Sequence, residues 1–138
     1  MLLVRDCMTE NAVCVGSEEP VTAAARLMAR RNLGMLPVRG RDGRLAGVVT
    51  DRDLVLRCIA AGQDAAQTSV ERVMSNYVAA VAPEDSMEQA ARRMAAERVR
   101  RLPVVEDGKL VGMVSLGDLA RQGAYAMEAG ECLGAVCT

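Results

Sequence analysis

Gly47-Val48-Val49-Thr50-Asp51-Arg52-Asp53-Leu54 returns later in the chain as Gly112-Met113-Val114-Ser115-Leu116-Gly117-Asp118-Leu119. The shared pattern is Gly-x-x-[Thr/Ser]-x-x-Asp-Leu. Each copy puts a small residue, a hydroxyl and a carboxylate at fixed spacing where an apolar run ends. Two copies imply two related sites on a duplicated fold.

Working outward, the duplication extends along most of the chain. At an offset of 66, Val4 matches Val70, Met8 matches Met74, Val15 matches Val81, Glu18 matches Glu84, Arg26 matches Arg92 and Met28 matches Met94. Leu36-Pro37-Val38 matches Leu102-Pro103-Val104 in the same frame. One extra residue near Gly40 changes the offset to 65, after which Asp42-Gly43 aligns with Asp107-Gly108 and Leu45 with Leu110.

Periodicity changes in the same order in each copy. A short extended piece is predicted at residues 12–15 and 78–81. Helical spacing follows, with Val21, Ala24, Ala25 and Met28 on one face and Met87, Ala90, Ala91 and Met94 on the other copy's matching face. Pro20 suits the first turn of its helix, and Ser86 with Gln89 forms the spacing of a capping box. Each helix then gives way to a Leu-Pro-Val strand, a tight Asp-Gly turn and a second strand at 45–49 or 110–114. A further helix is predicted to begin near Asp51 and near Leu116, so the unit reads β-α-β-β-α, twice. The expected divisions are 1–66, 67–122 and a C-terminal helical tail at 123–138, with a linker around residues 60–64.

Composition narrows the functional classes. The 138 residues carry 17 basic and 18 acidic side chains and no histidine. Residues 1–69 hold 9 basic against 8 acidic groups and residues 70–138 hold 8 against 10, so neither half has the basic field of a nucleic-acid binder. No apolar run approaches the roughly 18 to 20 residues that span a bilayer, and Met1–Arg5 is too short for a secretory signal core. The expectation is a cytoplasmic protein without membrane or nucleic-acid partners. Its five cysteines, Cys7, Cys14, Cys58, Cys132 and Cys137, are irregularly spaced and read as free thiols, with no zinc shell. Without histidine, a nucleophile elbow or a Walker-type loop, the chain reads as a non-enzyme.

These landmarks (Met8-Thr9 and Met74-Ser75 opening the copies, Leu-Pro-Val in the middle, Gly-x-x-[Thr/Ser]-x-x-Asp at the close) resemble tandem CBS domains, the pairing known as a Bateman module. The resemblance covers residues 1 to about 122. It implies an α/β (α+β) fold of two β-α-β-β-α repeats packed about a pseudo-two-fold axis, with clefts for adenosyl ligands such as AMP, ADP, ATP, NAD or S-adenosylmethionine. It also implies a homodimer that signals to a further protein partner. No catalytic cofactor follows from it; the nucleotide is a regulatory ligand, and magnesium enters only alongside ADP or ATP.

Carried over residue by residue, the resemblance gives one cleft Gly112, Ser115 and Asp118 with Thr9, Val13, Leu33, Gly34 and Met35 ahead of Pro37. The other takes Gly47, Thr50, Arg52 and Asp53 with Ser75, Ala79, Val99, Arg100 and Arg101 ahead of Pro103. A carboxylate accepts hydrogen bonds from the two ribose hydroxyls, and a Thr or Ser hydroxyl reaches a phosphate oxygen. Free N–H groups at the helix start favour an anion, and the glycines let a ligand approach the backbone. Arg52, Arg98, Arg100 and Arg101 make the Thr50 cleft the more phosphate-friendly of the two. The same [Thr/Ser]-x-x-Asp spacing also makes an ordinary helix cap, and the alternative function is a ligand-free dimerisation scaffold.

Overall fold

The computed structural model describes residues 2–121, so the expected C-terminal helix, Cys132 and Cys137 lie outside the described residues. The elements are α1 (Val4–Cys7), β1 (Val15–Gly16), α2 (Val21–Arg31), β2 (Met35–Arg39), β3 (Leu45–Thr50), α3 (Asp51–Asp53), which runs on as a π-helix over Leu54–Ile59, a 3-10 turn (Val70–Arg72), α4 (Met87–Glu97), β4 (Arg101–Glu106), β5 (Lys109–Ser115) and α5 (Leu116–Arg121). The order is mixed α+β, with the expected duplication.

The compact units are not the sequence repeats. Val13–Val78 form one unit, and residues 2–12 pack with residues 79–121 to form the other. Each repeat therefore gives its leading segment to the other repeat's sheet. In the unit of Val13–Val78, β1 pairs parallel with β2 and β2 antiparallel with β3. Its core gathers Val15, Val21, Ala24, Met28, Leu36, Val38, Val49, Leu54, Cys58, Val70 and Val73. In the other unit β4 pairs with β5, and Val4 joins Met87, Ala90, Ala91, Met94, Leu102, Val104 and Val114 in the core.

Both amphipathic helices form where the spacing places them, and both stop through a left-handed residue, Asn32 (φ 54°) and Arg98 (φ 56°). Ser86 and Gln89 make the reciprocal cap, with Gln89 N–H donating to Ser86 Oγ at 3.1 Å and Ser86 N–H to Gln89 Oε1 at 2.7 Å. Pro20 sits one position earlier than expected, at the N-cap, where its missing N–H costs nothing. The second hairpin turns through Asp107 (φ 53°) and Gly108 (φ 79°), the two positive φ values of a tight primed turn. The first has one residue more: Gly43 is at φ 83°, and Gly40 N–H reaches Arg44 O at 2.7 Å.

The extended pieces are shorter than expected. Only Val15–Gly16 forms strand in the first copy, and Val81 makes a single parallel bridge to Val104 in the second. Two elements carry no periodicity and escape the sequence reading: α1 and the Val70–Arg72 turn, which are repeat-related by Val4 and Val70. Each precedes the residue pair that docks on the partner sheet.

Met94 is fully buried in the core of its unit. Met94→Ala should lower stability by about 2–5 kcal/mol, read from the urea midpoint, whereas the exposed Arg92→Ala should change it by under about 0.5 kcal/mol.

Candidate functional site

Each Gly-x-x-[Thr/Ser]-x-x-Asp segment straddles the end of a strand and the start of a helix. Thr50 ends β3 opposite Met35, and Ser115 ends β5 opposite Arg101. Directly paired residues project to the same sheet face, so Met35 shares a face with Thr50 and Arg101 with Ser115.

The carboxylate and hydroxyl of each motif cap the helix reciprocally. Asp53 N–H donates to Thr50 Oγ1 at 3.0 Å and Thr50 N–H to Asp53 Oδ2 at 2.9 Å. Asp118 N–H donates to Ser115 Oγ at 3.2 Å and Ser115 N–H to Asp118 Oδ2 at 2.7 Å. The box uses one carboxylate oxygen and the acceptor side of the hydroxyl. Oδ1 of each Asp and the O–H of Thr50 and Ser115 lie outside it. Oδ1 faces a guanidinium in both motifs, Arg57 Nη2 at 3.7 Å for Asp53 and Arg121 Nη2 for Asp118. The carboxylates are well covered, with side-chain exposures of 14% and 6%.

The helix starts are less open to an anion than the sequence suggests. Asp51 N–H is taken by Gly34 O at 3.0 Å, Arg52 N–H by the Asp51 carboxylate at 2.8 Å, and Asp53 N–H by Thr50. The first three donors of α3 are thus satisfied internally. Leu116 N–H likewise goes to Arg100 O at 2.9 Å.

The motif glycines have a different reason from ligand approach. A Cβ on Gly47 would stand 2.4 Å from Ser75 O and 2.9 Å from Met74 Sδ; on Gly112 it would stand 2.8 Å from Thr9 O and 2.9 Å from Met8 Sδ. Over each glycine the opening pair of the other repeat lies flat on the strand. Two backbone bonds hold each pair, Ser75 N–H to Val48 O (2.8 Å) and Val48 N–H to Ser75 O (3.0 Å), and Thr9 N–H to Met113 O (2.8 Å) and Met113 N–H to Thr9 O (3.0 Å).

The remaining candidates divide between the units. Thr9, Ala79, Val99, Arg100, Arg101 and Pro103 belong with Ser115 and Asp118; Val13, Leu33, Gly34, Met35, Pro37 and Ser75 belong with Thr50 and Asp53. Ala79 and Val99 pack on the first of these cores, Val13 and Leu33 on the second, and Pro37 and Pro103 are buried. Arg52, Arg100 and Arg101 are exposed. Within its own unit, the arginine-rich segment adjoins the Ser115 motif, through the Arg101 pairing and Arg100 O. Arg57 and Arg121 escaped the sequence reading, although each follows its Asp by three or four residues on a helix, the spacing of a helical ion pair.

Cys7 lies in the unit of Asp118. Burial pushes its thiol pKa up, and the carboxylates of Asp6 and Asp118 push it further the same way. A thiol so placed stays protonated near neutral pH and is a poor nucleophile. Among the described residues no group of three or more His, Cys, Asp and Glu is placed to hold a metal ion.

The CBS domain family model matches twice, over residues 4–59 and 70–125. The chain belongs to the CBS domain family. A CBS domain-containing protein of Bacillus subtilis, YhcV, is 43% identical over 120 residues, covering 87% of this chain and 84% of that one. Hypoxic response protein 1 of Mycobacterium tuberculosis is 37% identical over 121 residues, covering 88% and 85%. The crystal structure of Hypoxic Response Protein I with two coordinated zinc ions superposes with a TM-score of 0.79, covering 86% of this chain and 97% of that one. The CBS domain pair of protein MJ0100, solved with 5′-methylthioadenosine and S-adenosyl-L-methionine, shares the fold at a TM-score of 0.74 and 23% identity, over 91% and 98% of the two chains. The tandem CBS pair is thus confirmed as the architecture of this chain.

Gly47→Ala should cost about 1–3 kcal/mol through overpacking against Ser75 O. Gly112→Ala should follow in the same direction. Both are read as lowered urea midpoints.

Proposed function

We propose that the chain is a regulatory module that binds an adenosine-containing ligand at its two repeated motifs. In this reading the ribose hydroxyls donate to Oδ1 of Asp53 or Asp118, and the O–H of Thr50 or Ser115 donates to a phosphate oxygen. The observation that carries it is the half-used carboxylate: a capping box fixes Asp and Thr or Ser rigidly yet leaves an acceptor and a donor outside the box, twice. Fixed polar groups of this kind bind with little ordering cost. Membership in the CBS family supports the reading, and the fold shared with the MJ0100 pair is compatible with it.

The phosphate preference we propose rests on the residues within each unit. Arg100 and Arg101 adjoin Ser115, whereas Asp51 stands beside Arg52 in the Thr50 motif. We therefore place the more phosphorylated ligand at Ser115 and Asp118, the reverse of the assignment drawn from sequence. The base has neither Phe nor Trp to stack on, because the chain contains none. Aliphatic neighbours such as Met35 and Val99 take that role. The module acts by binding rather than turnover, with magnesium accompanying ADP or ATP alone.

Association of two copies is the second part of the proposal. Val55, Leu56 and Ile59 remain 54%, 49% and 62% exposed on the helix that follows the first motif. Three large apolar side chains on adjacent turns suit a self-complementary contact, through which occupancy of the motif would reach a protein partner. No described helix is long and apolar enough to cross a membrane, and the cytoplasm is the proposed location. A ligand-free scaffold is the competing reading, favoured by the ion pairs that already occupy Oδ1 of both carboxylates.

Thermal shifts with adenosine, AMP, ADP, ATP, NAD and S-adenosylmethionine test the binding. A ligand at about 100 times its Kd should stabilise the fold by about 2.7 kcal/mol, and Asp53→Ala and Asp118→Ala should each remove part of the response. No shift with any of them at millimolar concentration would favour the scaffold. Ile59→Asp should weaken self-association in sedimentation velocity while altering monomer stability by less than about 0.5 kcal/mol.

A further inference from the structure

We propose that Arg57 is a positioning residue for the first motif, a strap that sets the Asp53 carboxylate and the Ser75 hydroxyl relative to each other. The inference rests on the reading of Asp53 as the ribose acceptor.

Arg57 Nη2 lies 3.7 Å from Asp53 Oδ1, on the oxygen outside the capping box. Its Nη1 donates to Val73 O at 3.0 Å and to Met74 O at 3.2 Å, and reaches Ser75 Oγ at 3.4 Å. One planar guanidinium thus joins Asp53 to a stretch of chain 16 to 18 residues beyond Arg57 itself. A rigid fork with five donors can hold this geometry; an ammonium, as a point charge on a flexible stem, cannot. Both stretches border the candidate site: Asp53 caps the helix, and Ser75 covers Gly47.

Among the described residues the second motif shows no such strap. The offset of 65 places Gln122 where Arg57 stands, and the cation beside Asp118 is Arg121, one position earlier. Among the described residues Arg121 meets Asp118 and makes no hydrogen bond to Cys7, Met8 or Thr9, the pieces matching Val73–Ser75. The repeat is therefore symmetric in its capping boxes and asymmetric in what fixes them. A general packing role for Arg57 would lower stability without discriminating between the motifs. A positioning role acts on the Asp53 motif alone.

The test uses the full chain and AMP as the probe, by calorimetric titration. In an Asp118→Ala background, which leaves the first motif to be read, Arg57→Met should weaken AMP binding about tenfold, the scale of one lost charge-assisted contact. Arg57→Lys, which keeps the charge and the stem, should recover stability and only part of the affinity. In an Asp53→Ala background, Arg57→Met should leave the remaining affinity within about twofold. Unchanged AMP binding by Arg57→Met in the first background overturns the inference and leaves the binding reading intact. Equal losses in both backgrounds overturn it too, by showing a general structural effect. If the Asp118→Ala parent itself binds no AMP while the Asp53→Ala chain does, the ribose role of Asp53 fails and the inference falls with it. Should Arg57→Met not fold, Arg57→Lys decides, with full parental affinity as the contradicting result.

Discussion

The contact on which the rest depends is a backbone segment, bridged to a strand, lying directly on a glycine. Ser75 on Gly47 and Thr9 on Gly112 leave no room for a Cβ, and each is held by a reciprocal pair of backbone hydrogen bonds. That contact is why each repeat surrenders its leading segment. Val13–Val78 is continuous in sequence, so one unit assembles locally; the other must bring residues 2–12 together with residues 79–121. Closing that loop costs entropy that grows only slowly with its length, and burial of Val4 in the core of the recipient unit helps to offset it. The exchange also delivers Thr9 and Ser75 to the two motifs.

Much of this was legible in the sequence. Duplication, the capped helices, the Asp-Gly hairpins and the family all follow from residue type and spacing, because each is a local rule repeated at a fixed offset. The single-turn elements were not legible, since three or four residues at Val4–Cys7 and Val70–Arg72 show no period. Nor was the role of the glycines, because what lies over Gly47 comes from Met74 and Ser75, far along the chain. A pattern of residues records that a small side chain is needed, without recording what fills the space.

The motif is a reciprocal helix cap in both copies. The reciprocal bonds of Thr50 with Asp53 and of Ser115 with Asp118 use one carboxylate oxygen and the acceptor side of the hydroxyl, and the other carboxylate oxygen meets a guanidinium. The sequence offered the spacing both as a cap and as a ligand contact, two roles that can coexist at one helix start; the geometry shows the cap in both copies. At the start of α3 the Asp53 N–H is taken by the cap, the Asp51 N–H by Gly34 O and the Arg52 N–H by the Asp51 carboxylate. The arginines beside the motifs differ between the units: Arg52 and Arg57 in one, Arg100, Arg101 and Arg121 in the other.

The proposal at the centre is that the carboxylate oxygens of Asp53 and Asp118 outside the capping boxes, each facing a guanidinium, accept the ribose hydroxyls. Titration of the full chain with adenosine, 2′-deoxyadenosine and 2′,3′-dideoxyadenosine measures this directly. Affinity should fall with each hydroxyl removed, by about tenfold for the first, as expected when a hydrogen bond to a charged group is lost. Equal affinity for all three nucleosides would contradict it.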